Sequence, residues 1–224
     1  MTPSVDIQGV WKFYGDFPAL RDITLQAFEG DCIALLGRNG AGKTTLLRVA
    51  AGLLRPAKGS VAIHGGIGWL GHGIGVYEEL SAYENLVVFG QLHSLPDPRK
   101  TAREWLERTG LDRVADGLVR EYSRGMRQRL AVARAFLHAP RVVLFDEPFT
   151  SLDDRAIALL QSLFAEAIGQ GRTVVMSTHQ LREAMELATK VALVERGSLV
   201  HFGPRTQEML QDPGYLYRVY ADAS

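Results

Sequence analysis

Three short stretches hold residue types that could carry out phosphate chemistry. The first is Leu36–Leu46, Leu-Gly-Arg-Asn-Gly-Ala-Gly-Lys-Thr-Thr-Leu. Gly37, Gly42, Lys43 and Thr44 fit the phosphate-binding pattern G-x-x-x-x-G-K-[ST]. Small residues at Gly37, Gly40 and Gly42 let successive backbone N–H groups turn inward around a polyphosphate. Lys43 would reach the β- and γ-phosphate oxygens, and the Thr44 hydroxyl would face Mg²⁺. The second is Asp146-Glu147-Pro148, directly after the apolar run Val142–Phe145. Burying an unpaired carboxylate is costly, so Asp146 suits a magnesium ligand and Glu147 a general base. The competing reading is a plain turn and helix start before Pro148. The third is His179, which follows Thr173–Ser177. Strand C-termini of a parallel sheet converge on the ligand, so His179 is either a γ-phosphate contact or a structural histidine.

The elements around these stretches read as an α/β chain. Val5–Phe13 and Leu20–Phe28 form two strands joined by a turn at Gly15–Pro18. Ile23, Leu25 and Ala27 alternate with polar residues, as in a half-buried antiparallel strand. Trp11 and Phe13 read as core or turn aromatics. Tyr14, beside Gly15, is a candidate for stacking on a nucleotide base. Cys32–Leu36 is a buried strand, and Thr44–Ala51 is a helix whose N-terminus receives the phosphate. Ser60–His64 and Ile67–Leu70 are short strands separated only by Gly65-Gly66. Gly71–Gly75 is a glycine-rich loop after which helical signals take over.

Ser81 with Glu84 forms a capping box that opens a helix to about Leu92. Arg99–Thr109 and Ser123–Leu137 are further helices. Arg141–Phe145 and Thr173–Ser177 are buried strands, and Asp153–Ile168 and Gln180–Ala188 are helices. Val191–Glu195 and Ser198–Phe202 make a hairpin, and the remainder reads as a short polar tail. The spacing predicts one domain over 1–224. Its nucleotide-binding core with an N-terminal antiparallel β subdomain spans 1–72 and 140–224, and an inserted α-helical subdomain spans 73–139.

The 224 residues are 46% hydrophobic and 22% charged, with zero formal net charge, which argues against nucleic acid as a partner. Cys32 is the only cysteine, so no disulfide framework forms and a reducing compartment is expected. No apolar run approaches the roughly 20 residues that span a bilayer. The opening Met-Thr-Pro-Ser-Val-Asp lacks the basic and apolar regions of a secretory leader.

Taken together, the motifs resemble those of ATP-binding cassette (ABC) transporter ATPase subunits, along essentially the whole chain. The matches are Tyr14, Gly37–Thr45, Ser123–Arg129, Leu144–Pro148, Ser151-Leu152-Asp153 and Ser177-Thr178-His179, in the family's order. The resemblance implies a P-loop ATPase core that binds ATP with Mg²⁺ through Tyr14, Gly37, Arg38, Asn39, Gly40, Ala41, Gly42, Lys43, Thr44 and Thr45. It implies two subunits, identical or paired, sandwiching two ATP, each covered by Ser123 and Gly125 of the other copy, with Asp153 bridging them. Glu147 would polarise the attacking water, and Lys43 and His179 would hold the γ-phosphate. A separate integral membrane subunit would dock on the helical insert, placing the chain peripherally on the cytoplasmic face.

Two departures from the family pattern stand out. Tyr122-Ser123-Arg124-Gly125-Met126 replaces Leu-Ser-Gly-Gly-Gln, keeping the serine and the second glycine. His72 stands where the family usually has a glutamine that contacts Mg²⁺. Gly71-His72 and Asp146–Thr150 resemble, within the family, the ATPase subunit of the haem exporter of cytochrome c maturation. An exporter ATPase for another cargo, a soluble cassette ATPase acting on DNA or ribosomes, and a non-hydrolysing switch are the competing readings.

Overall fold

The computed structural model describes residues 2–71, 73, 75–212 and 214–221. Two sheets carry the fold. β1 (Val5–Tyr14) pairs antiparallel with β2 (Phe17–Ala27) on one side and β4 (Lys58–Ile63) on the other. The second sheet has the order β5 (Ile67–Leu70), β6 (Val142–Asp146), β7 (Thr173–Ser177), β3 (Cys32–Leu36), β8 (Lys190–Glu195), β9 (Ser198–Pro204). Its first five strands run parallel, and β9 returns antiparallel along β8. β3, β6 and β7 are buried along their whole length, which is why they read as unbroken apolar runs rather than alternating ones.

The helices fill both faces of this sheet. α1 (Lys43–Ala50) follows β3, and it and the antiparallel sheet cover one face, burying Ile33, Leu35, Leu144 and Val175 against Val5, Leu25 and Leu46. The other face, including Cys32, Ala34, Val143 and Phe145, packs on α2 (Ala82–Leu92), α3 (Pro98–Arg108), α4 (Arg124–Phe136) and α5 (Asp154–Gly169). Phe145 lies 4.8 Å from Phe164 and 5.6 Å from Phe136, ring centre to ring centre, so β6, α4 and α5 share one aromatic cluster. α6 (Leu181–Leu187) and α7 (Gln207–Gln211) complete the set. The fold is thus the α/β core with an antiparallel β layer and an inserted helical block that the sequence predicts. Among the described residues, no helix is long and apolar enough to cross a membrane.

Local chemistry explains the starts. Ser81 Oγ accepts from the Glu84 N–H at 3.1 Å while Glu84 Oε2 accepts from the Ser81 N–H at 2.8 Å, so the capping box is complete. Asp97 caps α3 with Pro98 in its first turn.

β4 and β5, the two short strands expected on either side of Gly65-Gly66, belong to different sheets. Two expectations are corrected. Phe13 is exposed rather than core. Register shifts along β1 turn its last residues outward, where Phe13 stacks on Trp11 at 6.0 Å. The tail is not merely polar: Met209 and Leu216 are buried in the larger core, and Tyr217–Ala221 forms a π-helical turn.

Candidate functional site

The glycine-rich loop joins β3 to α1 and is shaped by contacts only glycine permits. Gly37 has φ +146°, and a Cβ there would lie 2.3 Å from the Val194 carbonyl oxygen. Gly42 has φ +114°, with the Ala19 carbonyl 2.7 Å from where a Cβ would stand. Gly42 also caps α1 without a side-chain acceptor, leaving the helix's first N–H groups for an anion. Lys43 is buried, and its Nζ donates to the carbonyls of Gly37 at 2.6 Å and Arg38 at 3.2 Å. Desolvation pushes its pKa down, while the nearby Glu147 and Asp146 charges pull it back up. Arg38, Asn39 and Gly40 form the exposed crest of the loop, and Ala41 folds back to donate to the Arg38 carbonyl.

Asp146 closes β6 beside this loop and is 2% exposed. Its Oδ1 accepts from Thr44 Oγ1 at 3.0 Å and from Ser177 Oγ at 2.6 Å, tying the first turn of α1 to the ends of β6 and β7. Glu147 follows with φ +58°, a region that costs a non-glycine residue free energy and clusters at functional sites. Its N–H donates to the Ser177 carbonyl at 3.0 Å, which holds that conformation. His179 reaches Glu147 Oε2 twice, through its backbone N–H at 3.2 Å and Nδ1 at 2.8 Å. A carboxylate only accepts, so Nδ1 is the donor in this contact, and Nε2 is left free of it. One cavity of about 340 Å³ is lined by Tyr14, Phe17, Asn39, Lys43, Thr44 and Thr45 together with Glu147.

Not every expected residue joins this cluster. Ser123, Gly125 and Asp153 line a separate groove of about 980 Å³ with Arg124, Met126 and Ser151. There Ser123 Oγ caps α4 by accepting from the Met126 N–H at 3.2 Å, and Asp153 caps α5 by accepting from the Ala156 N–H at 2.8 Å. His72, expected at the metal, lies outside the described residues. Burial pushes the Cys32 thiol up to about 12, so it is inert core rather than a nucleophile.

Two contributors escape a sequence reading, Phe17 and Tyr217, and a third, Gln128, lies in a stretch already singled out. Phe17 lines the cavity from the start of β2. Gln128 donates to the Pro148 carbonyl at 2.9 Å, linking α4 to the Asp-Glu-Pro turn. Tyr217 Oη accepts from the Gly37 N–H. Gln128 lies within the Ser123–Arg129 stretch and was open to notice there; Tyr217 carries no local signal.

Residues 20–150 match the ABC transporter family. An uncharacterized ABC transporter ATP-binding protein of Methanocaldococcus jannaschii is 33% identical over 205 residues, spanning 91% of this chain and 78% of that one. A daunorubicin resistance ATP-binding protein of Streptomyces coeruleorubidus is 38% identical, spanning 89% of this chain and 68% of its own. Among solved structures, a dimeric ATP-binding cassette in a post-hydrolysis state with ADP and Pi superposes with a TM-score of 0.81 at 26% identity. It covers 90% of this chain and 99% of that one. The chain belongs to the ABC transporter family as an ATP-binding subunit, and its activity is that of an ATPase.

Proposed function

We propose that Gly37–Thr45, Asp146, Glu147 and His179 form the hydrolytic site, and that Ser123, Gly125 and Asp153 cover the ATP held by a second copy. The observation that carries this is the Thr44–Asp146 hydrogen bond, which spans 102 positions of sequence and sets Glu147 on the wall of the loop's cavity. Tyr14, half exposed on that wall, would stack on the base. Backbone N–H groups of the loop and of the start of α1 would hold the phosphates, with Lys43 leaving the Gly37 and Arg38 carbonyls for them. Thr44 Oγ1 and Asp146 Oδ1 are hard oxygen donors 3.0 Å apart, the set that holds Mg²⁺ beside phosphate oxygens. When bound, the ion neutralises charge building on those oxygens. Glu147, oriented by His179, would take the proton of the attacking water. His179 would also contact the γ-phosphate.

Residues 73–139 are proposed as the helical subdomain that meets a separate membrane subunit at the cytoplasmic face. The direction we favour is export, since relatives carry the names daunorubicin resistance and Nod factor export ATP-binding proteins. Haem export for cytochrome c maturation is a narrower reading that rests on Gly71-His72 and Asp146–Thr150 alone, and the relatives named here do not add to it.

Phosphate release by the purified chain with Mg²⁺ and ATP tests the site. Glu147→Gln should lower turnover about 100-fold or more while ATP still binds. Turnover near that of the unmodified chain would remove Glu147 from the role of base.

A further inference from the structure

The C-terminal stretch reaches the phosphate loop from the far end of the chain. Leu216 is fully buried in the larger core, and Tyr215 and Tyr217 pack against that core. This anchors the π-helical turn Tyr217–Ala221 beside the beginning of the loop. The Gly37 N–H donates to Tyr217 Oη at 3.0 Å, across 180 positions. The Gly37 carbonyl accepts from Lys43 Nζ at 2.6 Å. Both polar groups of this glycine are therefore committed, one to the tail and one to the phosphate-binding lysine. Val194 of β8 closes on Gly37 so that a side chain at this position would not fit. The Tyr217 ring further walls a cavity of about 380 Å³ with Arg38, Val194, Glu195 and Arg196, whose lining includes neither Lys43 nor Thr44. Burial raises the pKa of the Tyr217 phenol above its usual value, so it stays protonated at neutral pH.

We propose that Tyr217 is a positioning residue for the phosphate loop: its hydroxyl holds the Gly37 N–H and so keeps the loop folded before nucleotide arrives. The proposal rests on the reading that Gly37–Thr45 holds phosphates. Without the hydroxyl, part of the loop's ordering must occur on binding. That cost falls on affinity, because the same ordered loop then presents ATP to Glu147.

Tyr217→Phe is the test, because it removes one oxygen and keeps the ring that packs on the core. In the full chain, the Kd of a fluorescent ADP analogue and the KM for ATP should both rise about 3- to 10-fold. At saturating ATP, kcat should stay within about twofold. Unchanged Kd and KM would overturn the proposal, as would a fall in kcat at constant KM. Lys43→Ala, measured alongside, separates the two readings. If it binds the ADP analogue as tightly as the unmodified chain, the phosphate-loop reading itself fails. If it loses binding while Tyr217→Phe changes nothing, only the role of Tyr217 fails. Should Tyr217→Phe not fold, exchange of the Gly37 amide in the unmodified chain decides. Protection without nucleotide supports the contact, and exchange at the rate of a free amide overturns it.

Discussion

At the ends of β3, β6 and β7, Asp146 is 2% exposed and accepts hydrogen bonds from Thr44 and Ser177, while Glu147 is held in a left-handed conformation against His179. At the starts of α4 and α5, Ser123 and Asp153 stand exposed, and each hydroxyl or carboxylate accepts one N–H of its own helix. The first region is built by long-range contacts between elements distant in sequence. The second is built by two local caps. The strand-end cluster is oriented within a single chain, whereas the groove offers a hydroxyl, helix N–H groups and a carboxylate outward. A partner's nucleotide fits that division of labour.

The contrast can be broken first by stability. Phe145→Ala would empty the aromatic cluster directly behind Asp146 and should cost about 3–5 kcal/mol in chemical denaturation, with ATPase lost in proportion to unfolding. A cost below about 1 kcal/mol would mean the strand end is not held by this core. Next in size is Lys43→Ala, which should weaken ADP binding by the isolated chain about 10- to 100-fold, read by titration calorimetry.

Ser123→Ala removes the cap of α4 in the groove. It should leave ADP binding by the isolated chain unchanged, lower stability by about 1 kcal/mol through the lost cap, and reduce turnover. Weakened ADP binding by Ser123→Ala would place both regions on one nucleotide within one chain.

The smallest effect expected is pH dependence near the start of β5. His138 stacks on His93 at 3.8 Å and bonds the Ile67 carbonyl; burial first, then His93, Arg134 and Arg172, lower its pKa, against a raising effect of the Ile67 bond. The folded state therefore binds its proton less readily than the unfolded one. Stability is full above the ordinary histidine value of about 6.5 and declines as pH falls below it, toward the depressed folded value. Denaturation midpoints compared at neutral and mildly acidic pH should show a smaller drop for His138→Gln than for the unmodified chain.

What was legible in the sequence follows the same division. The loop, the strand before Asp146-Glu147, His179, the cap at Ser81 and the helices beginning near Ser123 and Asp153 are local patterns, and each appears close to where its spacing places it. Long-range choices were not legible. Nothing in Ser60–Leu70 tells that β4 joins one sheet and β5 another, because the decision is made by which edges remain open. The folded tail escaped because Met209 and Leu216 lack a helical or strand period, their burial depending on a surface assembled from distant elements. Tyr217 escaped for the same reason, its partner being Gly37. Phe13 misled in the opposite sense, since irregular pairing in β1 turned an apolar residue outward.

We propose that two copies of this chain enclose ATP between the strand-end cluster of one and the Ser123 groove of the other. Light scattering of Glu147→Gln during gel filtration, with and without ATP and Mg²⁺, tests it most directly. The chain should be a monomer without nucleotide and a stable dimer with ATP, which adding Ser123→Arg to the same chain disperses. A Glu147→Gln chain that binds ATP and remains monomeric would contradict it.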